Sequence, residues 1–403
     1  MQNKIVLENM TVDELKEFFV NNGEKSFRAL QYFQAIHKNR IFNPNNMTNF
    51  SNDLREKLDN YNDIKNCSII KRIDSKLDNT KKYLIELSDG NIVETVFMEY
   101  KTHTSICLST QIGCKMGCKF CASTKKSFVR NLQPYEMCAQ IYLVENDLGI
   151  RINNMVLMGI GEPLDNYDNV VRFIDLISNK EGQDMSIRNI TLSTCGLVDK
   201  IIKLADEDIG INITISLHNP FDNERSQLMP IGNKYSIEEI LDACDYYFDK
   251  TKRRIGFEYT VIESVNDSKK YMDKLVDLLK NRNCLLNLIT LNPIEEFNQK
   301  SPDRNKMMEF MNYMNKNNVN TTIRRKQGID IEGACGQLRI NNMTKRGVKW
   351  NMLQAQISDW LESLMKIIIW IILQKILAYL LCATEWVDIK LVKLQAKKLS
   401  KLL

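Results

Sequence analysis

No tryptophan occurs in the first 349 positions of this 403-residue chain, and no glycine or proline occurs after Gly347. All four tryptophans (Trp350, Trp360, Trp370, Trp386) therefore fall in a segment without the usual turn-formers, and residues 347–403 differ in kind from what precedes them. The chain begins Met-Gln-Asn-Lys-Ile-Val-Leu-Glu-Asn, with no apolar run, which excludes a secretory signal and makes a cytoplasmic location the expectation. An excess of either charge is also missing. The net charge is +5, and seven lysines against four acids after Met352 leave only +2 for the body. That excludes bulk electrostatic coating of nucleic acid but allows a local basic patch. The 11 cysteines are odd in number and thinly spread except for three within eight positions, unlike a secreted disulfide scaffold, and they favour a reducing compartment with metal or redox chemistry. With 26% charged and 44% hydrophobic residues, disorder is excluded as the dominant state.

What is present falls into blocks. Residues 1–64 read as a small helical domain: Thr11 with Glu14 forms a capping box opening a helix over 12–21, Ser26 caps one running to His37, and Ser51 caps one over 53–61. Between 69 and 100 the apolar period becomes two and Asp89-Gly90 supplies a turn, so residues 65–102 read as a β-hairpin linker. From 103 to 346, β-branched runs at 105–108, 154–158, 189–193, 212–217, 254–261, 287–291 and 321–324 alternate with amphipathic helices at 134–148, 168–178, 237–249 and 267–282. This βα alternation predicts an α/β fold with a parallel sheet, open or closed into a barrel, and chemistry at the carboxyl ends of its strands.

The strongest local signal is Gly113-Cys114-Lys-Met-Gly-Cys118-Lys-Phe-Cys121. Three thiolates on one loop can hold three irons of a cubane cluster and leave the fourth open to a substrate or cofactor. A zinc site normally needs four ligands in spaced pairs, and no second C-x2-C or His pair follows. Zinc and three unrelated thiols remain the alternatives at this point.

The C-x3-C-x2-C spacing, with Phe120 before the third cysteine, resembles the radical S-adenosylmethionine superfamily. Further motifs resemble one of its families, the RlmN dual-specificity RNA methyltransferases: Val93-Glu94-Thr95-Val96, Cys107 to Cys114, Gly159-Ile-Gly-Glu-Pro-Leu, Leu192-Ser-Thr-Cys-Gly, Ser216-Leu-His, Leu228-Met-Pro-Ile, Asn292-Pro and Gly328 to Leu338. The resemblance covers about residues 5–346. It implies a partial (βα) barrel with an N-terminal RNA-docking domain, a [4Fe-4S] cluster on Cys114, Cys118 and Cys121, and two molecules of S-adenosylmethionine per turnover. The implied product is an adenine methylated at carbon 2 in 23S ribosomal RNA and certain tRNAs. Cys335 takes the place of the methyl carrier, Cys107 that of the thiol resolving the enzyme–RNA adduct through a transient disulfide, and Glu94 that of the proton acceptor. Gly161, Glu162, Ser193, Ser216, Leu217, His218 and Asn292 take the cofactor-binding places. Lys115, Lys119, Lys125, Lys126 and Arg130, with Arg324, Arg325 and Lys326, would meet RNA at the barrel mouth. An electron donor such as flavodoxin or ferredoxin, a monomer and no membrane complete the expectation.

Two rivals stay open: the related carbon-8 adenine methyltransferase that confers antibiotic resistance, which tends to have Ala and Ile where this chain has Pro163 and Cys195, and a non-catalytic metal-containing RNA-binding protein. In the tail, Lys366, Gln374 and Lys375 limit the uninterrupted apolar run to 367–373, far short of the roughly 20 residues of a membrane span. Back-translated with AT-favouring codons and shifted by two bases, 361–370 and 380–393 yield strings resembling the metal-binding motifs of a PP2C-type phosphatase. The tail is accordingly read as out of frame after about Asp359 and without function. The encoding DNA is expected to give both strings in one alternative frame; DNA that cannot do so refutes the reading.

Overall fold

The computed structural model describes residues 5–338. Every expectation about 347–403 lies outside them. Three helices open the chain: α1 (Val12–Asn21), α2 (Phe27–His37) and α3 (Asn52–Asp59). The Thr11–Glu14 capping box forms, and the Ser51 hydroxyl accepts from Leu54 N–H. Ser26 departs from expectation. Its backbone is itself helical (φ −57°, ψ −31°), so the hydroxyl cannot turn back onto the first N–H groups, which needs an extended cap residue.

Behind these helices Glu8 is fully buried, its Oε1 accepting from Tyr32 O–H at 3.0 Å. Burial, opposed by its hydrogen bonds, raises its carboxyl from 4.5 to about 7. A folded-state pKa above the unfolded one favours the protonated form. The contribution is complete below pH 4.5 and is lost as pH rises through 7, on the order of 3 kcal/mol from the shift. His37 and His218, held near 3 by burial, act in the opposite sense as pH falls. Glu8→Gln is therefore expected to lie furthest below the parent in stability under pH 4.5 and to close or reverse that gap as pH rises towards 7; urea midpoints at both pH values, if their difference is pH-independent, would discount the buried acid.

Among the described residues the main sheet has ten strands. β1 (Ser68–Asp74), β2 (Lys81–Glu86), β3 (Ile92–Glu99) and β4 (Thr104–Cys107) pair antiparallel. A short hairpin follows, β5 (Gln111–Ile112) with β6 (Arg130–Asn131), then α4 (Pro134–Leu148). β7 (Asn154–Leu157), β8 (Ile190–Thr194), β9 (Asn212–Ser216), β10 (Ile255–Val261), β11 (Cys284–Thr290) and β12 (Thr321–Ile323) continue from β4 entirely in parallel. Helices α5 (Tyr167–Ser178), α6 (Val198–Asp206), α7 (Asp222–Leu228), α8 (Ile237–Thr251), α9 (Lys269–Leu279) and α10 (Arg304–Lys316) make the crossovers. The parallel run ends at β12 without pairing back to β4 among the described residues, which makes the fold a partial barrel.

The stretch expected to link the two domains is part of the sheet. β3 is buried on both faces. One carries Tyr83, Thr95 and Ile106 against α4, where Thr95 donates to buried Gln140 at 2.7 Å and Tyr83 to Asp147 at 2.8 Å. The other carries Lys82, Glu94, Val96, Met98 and Cys107, by the alternation of strand side chains. β11 starts three residues before the expected strand because α9 ends at Leu279, and the apolar run after it fits either periodicity.

Candidate active site at the strand ends

The three clustered cysteines lie on the loop between β5 and β6. Gly113 opens it at φ +76°, where an added Cβ would meet Ser127 O at 2.5 Å, so the turn admits only glycine. The loop is fastened from outside, Lys119 N–H donating to Leu228 O at 2.9 Å and Ala122 N–H to Gly336 O at 2.7 Å, and from within, Thr124 Oγ1 donating to the Cys118 and Cys121 carbonyls. Cys114, Cys118 and Cys121 line a cavity of about 150 Å³ together with the carboxyl ends of β7 to β11. Burial pushes the Cys114 thiol up to about 12 and Cys118 further, and the neighbouring cysteines add to it. A bound cluster would take these side chains as thiolates and supply the positive charge that stabilises them. Three cysteines lining one cavity are a donor set of the kind a cluster takes, one thiolate at each of three irons.

The opposite wall is built from strand ends. Gly161 (φ +109°) packs so closely on Gln111 that a Cβ would sit 2.6 Å from the Gln111 Cβ. Glu162 is buried, with Oε2 accepting from Cys195 N–H at 2.8 Å and Oε1 from Leu164 N–H at 3.1 Å; burial raises its pKa and these bonds oppose the rise. Its carboxylate thus clamps the ends of β7 and β8 as well as lining the cavity. Ser193, Ser216, His218 and Asn292 also line it. Leu217 does not; it is fully buried and its N–H bonds Glu258 O. His218 Nδ1 accepts from Thr260 N–H at 2.9 Å, which leaves the proton on Nε2, and burial lowers its pKa to about 3, so the ring stays neutral.

Cys335 lies between this cavity and a second one, lining both, as do Met158, Ile289, Thr290 and Asn292. Asn292 Nδ2 donates to Cys335 O at 2.9 Å and fixes the loop. The second cavity is also lined by Cys107, Tyr100, Arg324, Arg325 and Lys326. Burial raises both thiols, Cys107 to about 12, while Arg324 pulls both down. No disulfide joins the ten cysteines among the described residues, Cys107 and Cys335 included. Glu94 lines neither cavity. It is buried on β3, 3.6 Å from Lys82 Nζ.

The basic residues divide. Lys115, Lys119, Lys126, Arg325 and Lys326 are exposed and Lys125 is half-buried, whereas Arg130 is taken up by Asp89 and Glu136 (2.6 and 2.7 Å) and is an internal tie rather than a phosphate contact. Arg324 turns inward to Glu258 at 2.6 Å and Met158 Sδ at 3.3 Å. The inward role of Arg324 was not legible as such, although Glu258, a lone acid in the apolar run of β10, signals a buried partner. Arg225, fully buried and bonded to the Cys195, Ser216 and Leu217 carbonyls, was likewise missed.

Residues 5–64 match the family described as ribosomal RNA large subunit methyltransferase N-terminal domain, and residues 108–279 match the radical SAM superfamily. A "probable dual-specificity RNA methyltransferase RlmN" of Finegoldia magna is 92% identical over 349 residues, 87% of this chain and 100% of that one. The chain belongs to the RlmN family. The bearer of the same name in Clostridioides difficile is 49% identical over 83% of this chain and 98% of its own. Among solved structures, a radical SAM methyltransferase from Sphaerobacter thermophilus superposes with a TM-score of 0.80 at 34% identity, covering 83% of this chain and 99% of that one. As an RlmN-type radical S-adenosylmethionine RNA methyltransferase the chain takes the cluster and cofactor of its superfamily. The 349-residue match to a completely covered relative leaves 54 residues of this chain outside it. No helix among the described residues is long and apolar enough to cross a membrane.

Proposed function

We propose that this chain methylates carbon 2 of an adenine in 23S ribosomal RNA and in certain tRNAs, in the cytoplasm, as a monomer, with a methyl group first carried on Cys335. The observation that carries the reading is the place of Cys335 between a cavity ringed by three cysteines and one lined by Cys107 and basic side chains. When bound, the cluster and two successive S-adenosylmethionines supply a methyl group, an electron from a flavodoxin or ferredoxin, and a hydrogen-abstracting adenosyl radical. Gly161, Glu162, Ser193, Ser216, His218 and Asn292 would bind and orient the cofactor around the cavity, with buried Leu217 packing behind them and the neutral His218 offering its Nε2 proton as a donor. Cys335 must shed its proton to accept a methyl group, and Arg324 favours that thiolate against burial. Carbon 2 of adenine is no nucleophile, so the carried carbon must arrive as a radical, in a site that aligns partners and excludes water. Glu94 would take the proton from the adduct and Cys107 would release the product by a disulfide with Cys335, which a reducing cytoplasm can recycle.

Digesting ribosomal RNA treated with the cluster-loaded chain and mapping the methyl group by nucleoside mass spectrometry is the test. 2-Methyladenosine is the expected result. Methylation at carbon 8 would transfer the chain to the resistance enzymes, and an iron-free protein that leaves RNA unchanged would make it a binding protein.

A further inference from the structure

We propose that Lys82 is a positioning residue for product release, keeping Glu94 a carboxylate and fastening the carrier loop beside it. The inference rests on the reading of Glu94 as proton acceptor. It starts from the strand register: Cys107 on β4 lies opposite Val96 on β3, and Val96 lies opposite Lys82 on β2, so the three form a row on one face, with Glu94 diagonal to Lys82. Lys82 Nζ stands 3.6 Å from Glu94 Oε1, with the side chains 6% and 3% exposed. An ammonium this close to an enclosed carboxylate favours its charged form, and only the charged form can accept a proton. The same ammonium donates to Glu332 O at 3.3 Å, three residues before Cys335.

The segment before Glu332 is tied down on the same side. Asp330 accepts from Ser75 Oγ and from Lys76 N–H, both at 2.7 Å, and Gly328 N–H donates to Asp78 at 3.0 Å. The turn between β1 and β2 thus holds the start of the carrier loop, and Lys82 holds its next point while facing the proton acceptor. One cation therefore joins the two parts that must meet when the adduct resolves. In the step it serves, the adenine C–H bond breaks, the proton passes to a Glu94 oxygen, the bonding pair stays on the nucleoside, and the adduct's one excess electron would pass to the oxidised cluster that the activity supplies.

The test uses the full, cluster-loaded chain with a ribosomal RNA fragment. It reads Cys335 methylation by intact mass, the covalent enzyme–RNA adduct by gel, and free methylated RNA by mass spectrometry. Lys82→Met is expected to methylate Cys335 at the parental level, join the RNA, and release product about 10²-fold more slowly, the scale of one acid–base group, while Lys82→Arg restores release. Lys82→Met combined with Glu94→Gln removes both buried charges together, and it is expected to be no slower than Glu94→Gln alone because both act on one step. If Lys82→Met alone does not fold, this double variant and Lys82→Arg carry the test. Release at the parental rate in Lys82→Met, or no recovery in Lys82→Arg, overturns the role of Lys82, and a double variant well below Glu94→Gln assigns it to the carrier loop alone and overturns its part in keeping Glu94 a carboxylate. Parental release in Glu94→Gln instead sinks the reading of Glu94, whatever Lys82 does.

Discussion

Cys335→Ala is expected to yield a folded chain with its full iron content that transfers no methyl group to RNA. The thiol is half-buried in a loop held by backbone bonds, from Asn292 to Cys335 O and from Ala122 to Gly336 O, and neither uses the sulfur. Removing one sulfur from such a place costs stability within about 1 kcal/mol. Function depends on that atom alone. Without a nucleophile to accept the first methyl there is nothing to carry across, and turnover should fall by at least about 10³-fold, as when a covalent nucleophile is deleted elsewhere. Cys107→Ala should behave differently: Cys335 is still methylated and still joins the RNA, but the adduct persists because no second thiol can release it. The pair separates carrier from resolver on a denaturing gel and by nucleoside mass spectrometry. An active, adduct-free Cys335→Ala protein would refute the carrier.

The second large effect concerns the cluster. Alanine at Cys114, Cys118 or Cys121 leaves two thiolates for a site that grips by three, and each single variant is expected to lose nearly all its iron and sulfide after anaerobic reconstitution, together with the visible absorption of the cluster. Cys118 is flanked by both other thiols and its thiol is raised by burial, so its loss is the clearest of the three to test. Iron and sulfide per chain, measured beside Cys335→Ala as a control, decide the matter. A Cys118→Ala protein with the control's iron content would show that the cluster is held some other way.

How much of this was legible before the fold was in view differs by residue. The cysteine spacing and the ordered motifs were local, since loop chemistry such as Gly113 and Gly161 is written in consecutive residues. Helix α4 was readable to both ends, with Pro134 at its start and Gly149 (φ +65°) closing it. Ser26 misled because side-chain type reports what can cap a helix and not the backbone angle that lets it. Arg130 misled because it follows Lys125 and Lys126 in a basic stretch, while of its two acids Asp89 is 41 residues away and Glu136 reaches it only once α4 has formed its first turn.

The sequence by itself determined the family, the three-cysteine loop, the alternation of strand and helix, and the break in composition near residue 347. Each of these rests on spacing along the chain, where periodicity and turn chemistry act. Only the tertiary structure decided that Cys335 stands between two cavities, that Arg324 turns inward to Glu258, and that Lys82 meets both Glu94 and the carrier loop, 250 residues beyond it. Those arrangements depend on which strands become neighbours and on which face a side chain emerges. Both are fixed by the pairing of β2 with β3 and β4 and by the parallel run beyond them, and neither is encoded at any one position.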